Sequence, residues 1–172
     1  GGLVRGKASN AWLTEEIHQY RLALELHAEK YGGYPNPSSS NCGPDHCWYC
    51  LGDYPDDACY ATISPYFESP TLQSALTEFI PDLPADLRLI PYGNLKLRGM
   101  IYACDVNSSA NPGGTCNRVF IIWWLKGLVS CGNQAQWKAF DPNGQSTICV
   151  LAMKTSATAS PTSPPSSPLP SL

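Results

Sequence analysis

Charge is scarce in this chain of 172 residues: only 15% are Asp, Glu, Lys or Arg. Acidic residues outnumber basic ones by 14 to 11, for a net charge of −3. No basic surplus exists to neutralise a phosphate backbone, so no nucleic-acid partner is expected. Long apolar runs are also missing. The longest, Val119 to Leu125, has seven residues, where a bilayer span needs about 20. Gly1-Gly2-Leu3-Val4-Arg5 has no apolar core of the kind a signal peptide carries. Histidine is limited to His18, His27 and His46, and no G-x-S-x-G elbow occurs. A nucleophilic triad therefore has little to draw on. Gly113-Gly114 lacks the lysine and the strand–helix setting of a phosphate loop. The chain reads as a non-enzyme with no cofactor.

What is present points outside the cytoplasm. There are eight cysteines, sixteen prolines, five tryptophans and nine tyrosines. The cysteines are Cys42, Cys47, Cys50, Cys59, Cys104, Cys116, Cys131 and Cys149. An even count at this density suits staples on a domain with its own core. Cys104 and Cys116 flank a turn-rich loop, and Cys131 and Cys149 flank a candidate hairpin, so each pair can close locally. The other four would then pair among themselves. Sequence alone leaves other connectivities open. The rival use of Cys42, His46, Cys47, Cys50 and Cys59 is zinc binding, but a zinc ribbon wants a second C-x-x-C and none is present. Asp53 with Asp56-Asp57 offers paired carboxylates in a loop, and a solvated acidic turn accounts for them. Asp141-Pro142-Asn143-Gly144 has oxygen ligands but not the alternating spacing of a calcium loop. It reads as a hairpin turn instead.

Residues 13–31 carry a helical stripe of Leu13, Ile17, Tyr20, Leu24, His27 and Tyr31, widened by Leu22, Ala23 and Leu26. Gly32-Gly33 and Pro35 stop it. Residues 32–60 read as a long cross-linked loop, and 61–90 as short helical pieces broken by Pro81 and Pro84. Strands are expected at Leu97–Cys104, Arg118–Leu125, Gln136–Phe140 and Ser146–Met153. The expected fold is α+β: a long N-terminal amphipathic helix packed on one antiparallel sheet of three to four strands. The organisation is 1–35 for the helix, 36–154 for a disulfide-stapled head and 155–172 for a Ser/Thr/Pro-rich tail. Such a tail cannot bury enough apolar surface to order itself. Asn107-Ser108-Ser109 is a glycosylation sequon, and Ser160, Thr162 and Ser163 are candidate O-glycan sites.

The segment Ile17 to Pro35, with its Ala23-Leu24-Glu25-Leu26 and closing Gly32-Gly33-Tyr34-Pro35, resembles the exposed part of the N-terminal helix of type IV pilin-like proteins. It is most similar to major pseudopilins of type II secretion. Leu76-Thr77-Glu78-Phe79-Ile80-Pro81-Asp82-Leu83-Pro84-Ala85-Asp86 resembles a proline-rich segment of that family, although Leu87 stands where the family has proline. The family's apolar first half-helix and its acidic calcium loop are not evident. The resemblance implies a pilin-like head and a structural role in an extracellular or periplasmic filament of the bacterial envelope. Identical or related subunits would be the partners. The membrane would be touched only through an apolar half-helix upstream of Gly1. The alternative is a secreted disulfide-rich binding module, carbohydrate-binding through Trp48, Tyr49, Trp123, Trp124 and Trp137.

Overall fold

The computed structural model describes residues 9–37, 46–105 and 115–155, with only the backbone at 46 and 47. Helix α1 spans Asn10–Tyr31. Ser9 caps it by accepting a hydrogen bond from the Trp12 amide at 3.1 Å. Gly32, at φ +83°, closes it by donating its own amide to the Ala28 carbonyl. Most of the expected stripe is the buried face, Leu13, Ile17, Tyr20, Ala23, Leu24 and His27, but Tyr31, Leu22 and Leu26, expected to continue and widen it, are exposed. Asn10 pins the helix start to the sheet. Its side chain donates to the Lys126 carbonyl (2.9 Å) and accepts from the Lys126 amide (3.1 Å) and Arg88 Nη1 (2.9 Å).

The strands follow as β1 Tyr34–Pro35, β2 His46–Leu51, β3 Ala58–Tyr60, β4 Pro65–Phe67, β5 Leu89–Tyr92, β6 Leu95–Arg98, β7 Met100–Asp105, β8 Thr115–Cys116, β9 Arg118–Lys126, β10 Trp137–Phe140 and β11 Ser146–Lys154. A second helix, α2, covers Pro70–Thr77 with Ser69 as its cap. The strands form three sheets, ordered β1-β8, β10-β11-β9-β7-β2 and β4-β3-β6-β5, and every pairing is antiparallel.

This overturns the expected fold class. A single sheet of three to four strands under one long helix, the pilin-like head, is not what forms. The described residues hold eleven strands in three sheets and two helices. Two local causes account for the difference. The expected strand Leu97–Cys104 is cut at Gly99, whose φ of +94° turns the chain from the four-stranded sheet into the five-stranded one. The expected loop 32–60 contains β2, which pairs along its whole length with β7, from His46↔Asp105 to Leu51↔Met100. After His46 its sequence, Cys-Trp-Tyr-Cys-Leu, is apolar or aromatic at every position once cysteine is counted as a small hydrophobe.

The core has two halves separated by the five-stranded sheet. One face carries Tyr102, Val119, Ile121, Trp123, Leu125, Cys149 and Leu151 against α1. The other carries Ile101, Ala103, Phe120, Ile122, Trp124, Ile148 and Val150 against the four-stranded sheet, through Tyr60, Ile90 and Leu97, with Tyr54 added from the segment before β3. A strand apolar on both faces, as β9 is, needs cover on both sides.

Among the described residues, three disulfides lock this arrangement. Cys50–Cys59 ties β2 to β3, and so joins the two larger sheets. Cys104–Cys116 closes the segment between β7 and β8. Cys131–Cys149 fastens the chain after β9 onto β11. The two local closures expected from spacing both form. Loops of this size are stabilised by ~3 kcal/mol each on the chain-entropy account. Cys42 and the side chain of Cys47 lie outside the described residues. The disulfides fit an oxidising compartment, extracellular or periplasmic. Among the described residues, no helix is long and apolar enough to cross a membrane.

Candidate functional site

Among the described residues, Asp53, Asp57 and Glu68 form a cluster whose carboxylate oxygens lie within 4.8 Å of one another. The local fold brings them together. Asp57 sits at φ +54°, a left-handed conformation that Asp tolerates better than most residues. Its amide donates to the Tyr54 carbonyl, and its carbonyl accepts from the Glu68 amide, both at 3.0 Å. Glu68 Oε1 in turn accepts from the Tyr54 amide at 2.7 Å. Asp53 is held by its amide on the Leu83 carbonyl.

Burial pushes the Glu68 carboxyl above its ordinary value of 4.5, and the neighbouring Asp57 adds to this. The Tyr54 amide and the Gln73 side chain pull the other way. Three carboxylates are the oxygen donors that hard divalent cations take, although calcium wants six to eight oxygens. Asp53 and Asp57 are exposed, so solvent serves them equally well. The acidic pair Asp53 and Asp57 is visible in the sequence. Glu68 is not, since it arrives from beyond the β3–β4 hairpin.

A raised carboxyl destabilises the fold as it ionises. Below 4.5 the Glu68 carboxyl is mostly protonated in both folded and unfolded chains and its contribution is nearly intact. Stability is lost as pH rises above 4.5, where the unfolded chain ionises more readily. Glu68→Gln keeps an acceptor for the Tyr54 amide and removes the charge. The expected result is a melting temperature higher than wild type at pH 7 and equal to it at pH 4. The gain is small, within the ~0.5 kcal/mol usual for partly exposed positions. Thermal melts at the two pH values check it.

The aromatic residues proposed for carbohydrate contact do not make a common surface. Trp123 and Trp124 are fully buried on opposite faces of β9, which removes both from any ligand-facing role. Trp48 and Tyr49 lie on β2 and Trp137 on β10, at opposite edges of the five-stranded sheet. Each of the three is partly buried against the core.

Asp141 serves the hairpin between β10 and β11. Its two oxygens accept from the Gly93 amide (2.6 Å) and the Gln145 amide (2.9 Å), while Asn143 Nδ2 donates to the Gly93 carbonyl. Burial pushes its carboxyl up, but these backbone donors outweigh that and hold it below its ordinary value. His18 is half-buried and its Nδ1 meets Gln134 Nε2 at 3.3 Å, a side-chain contact from α1 to the segment before β10. The glycosylation candidates Asn107, Ser160, Thr162 and Ser163 lie outside the described residues. No protein-family model, no curated protein and no solved structure matches this chain.

Proposed function

We propose that the chain is a structural subunit of an extracytoplasmic filament, pilus-like or pseudopilus-like, built from identical or related copies. The observation that carries this reading is the two-sided character of α1. Its inner face is sunk in the core. Its outer face leaves Leu22 and Leu26, one turn apart, 41% and 48% exposed. Glu15, Gln19, Glu25 and Glu29 surround them on that side, with Gln19 bonded to Glu15 and Arg21 to Glu25. Apolar side chains left together on an otherwise polar helix face offer a contact to a second copy.

The resemblance of residues 17–35 to pilin-like helices supports the same reading. The sheets lend it no support, because their three-part arrangement departs from a pilin-like head. Buried disulfides suit a subunit that must last outside the cytoplasm.

The test is the double variant Leu22→Glu with Leu26→Glu in cells expressing the full-length gene. Both positions are exposed, so melting and far-ultraviolet circular dichroism should change little. The wild-type protein should be recovered in the sheared or pelleted filament fraction, and the variant only as free protein. Wild-type protein found solely as a free monomer overturns the filament reading. Equal incorporation of the variant overturns the role of the outer face of α1.

A further inference from the structure

His27 interrupts the apolar stripe of α1, and the structure buries it to 7% exposure instead of turning it to solvent. Its Nδ1 lies 2.7 Å from the Gly33 carbonyl, so this nitrogen carries the proton and donates. The ring packs against Tyr31 at 4.7 Å between centroids and meets Phe79 edge-on at 6.3 Å. Three pieces of chain therefore converge on one imidazole: the last turns of α1, the Gly-Gly entry to β1, and the turn after α2.

That turn is lightly held. Phe79 and Ile80 both donate their amides to the Leu76 carbonyl. Their side chains are only partly buried. Glu78 is joined to α1 by Lys30 Nζ and by the Tyr31 hydroxyl, at the exposed rim of the same seam.

We propose that this seam is an acid-operated release, in which protonation of the His27 imidazole frees the turn at Leu76–Ile80 from α1 while the sheets stay folded. The neutral ring satisfies the seam with one donor. A second proton places a cation between Tyr31 and Phe79 in a site with little access to water. The ionisable groups around it do not cancel that cost. On α1, Lys30 is itself a cation, and the Tyr31 hydroxyl is engaged with Glu78. On β1, the Tyr34 hydroxyl is committed to the Lys154 carbonyl. After α2, Glu78 is the carboxylate that acts on the ring, and Lys30 and Tyr31 already share it at the exposed rim.

Burial accordingly holds the His27 imidazole below its ordinary 6.5, against the upward pull of the Gly33 carbonyl and Glu78. The sign follows. The seam is at full strength above pH 6.5 and weakens as pH falls below it, where the released form takes up the proton more readily. The weakest packing opens first, and this is a small cooperative unit at the low-stability end.

The test is amide hydrogen exchange, expressed as protection factors at pH 7.5 and 5.0, together with an NMR titration of the His27 ring. The Phe79 and Ile80 amides should lose protection by roughly tenfold on acidification. Amides of Ile122 and Val150 should change less than about twofold. The ring should titrate below its ordinary value. His27→Gln retains a donor for the Gly33 carbonyl and does not titrate, so its Phe79 and Ile80 protection should be flat across the same range. A ring that titrates at or above 6.5, unchanged protection at Phe79 and Ile80 in the wild type, or a step that survives in His27→Gln each overturns the proposal. The first two need no variant to fold.

Discussion

Gly99→Ala is expected to cost about 3 to 5 kcal/mol, the sum of left-handed backbone strain and overpacking. At φ +94°, position 99 is a conformation that side-chain-bearing residues rarely adopt. Space is lacking as well. An added Cβ would stand 2.4 Å from Tyr54 Oη and 2.7 Å from its Cζ. The tyrosine cannot step aside. It is fully buried, its hydroxyl donates to the Leu51 carbonyl, and the same oxygen accepts from the Met100 amide, both at 2.9 Å. These two bonds bridge the end of β2 and the start of β7, at the point where the chain passes from one sheet to the other. Burial also pushes the Tyr54 phenol well up, so it remains a neutral donor throughout the physiological range. Typical domains hold 5–15 kcal/mol in all, so this one methyl group would remove a large share of it. Urea denaturation of wild type and Gly99→Ala measures the difference. A loss under about 1 kcal/mol would mean that Tyr54 relaxes and the hinge is soft.

The importance of Gly99 is a measure of what sequence reading can reach. Most of the α1 stripe, the Gly-Gly stop, the strand expected at Arg118–Leu125 and the Asn-Gly hairpin follow from local periodicity or turn chemistry, and those elements form. Two disulfides between neighbouring segments are legible for the same reason. The partition into sheets is not local. Gly99 in the run Leu97–Cys104 looks like one residue of a strand, and only the Tyr54 hydroxyl, from 45 positions earlier in the chain (99 − 54), makes it a junction. The pairing of β2 with β7 spans a similar separation. A signal for the extra layer does exist. Val119 to Leu125 is apolar at every position, and one helix can cover only one face of it. The unmatched face, with Phe120, Ile122 and Trp124, called for a second sheet. The acidic trio shows the same divide: Asp53 and Asp57 are neighbours in sequence, and Glu68 joins them only because the β3–β4 hairpin folds back.

Trp124→Ala should be destabilising by about 3–5 kcal/mol, the usual range for deleting a large buried aromatic. The side chain is at the centre of the two-sheet core, with Tyr60 5.6 Å away between ring centroids and Phe120 and Ile122 on the same strand face. Its indole Nε1 is buried and has no hydrogen-bond partner among the described residues. This makes a second variant informative. Trp124→Phe removes an unsatisfied donor along with part of the ring, so the desolvation cost of that donor is recovered against the smaller cavity. Its net loss should be at most half that of the alanine variant. Urea midpoints of the two variants with unchanged slopes would establish that order. If Trp124→Phe proved as damaging as Trp124→Ala, the indole nitrogen must be satisfied, by a buried water or a shifted carbonyl. If both variants kept wild-type stability, Trp124 could not be a core residue at all. The two-sheet packing would then fail, and with it the reason for excluding this tryptophan from a ligand-binding surface.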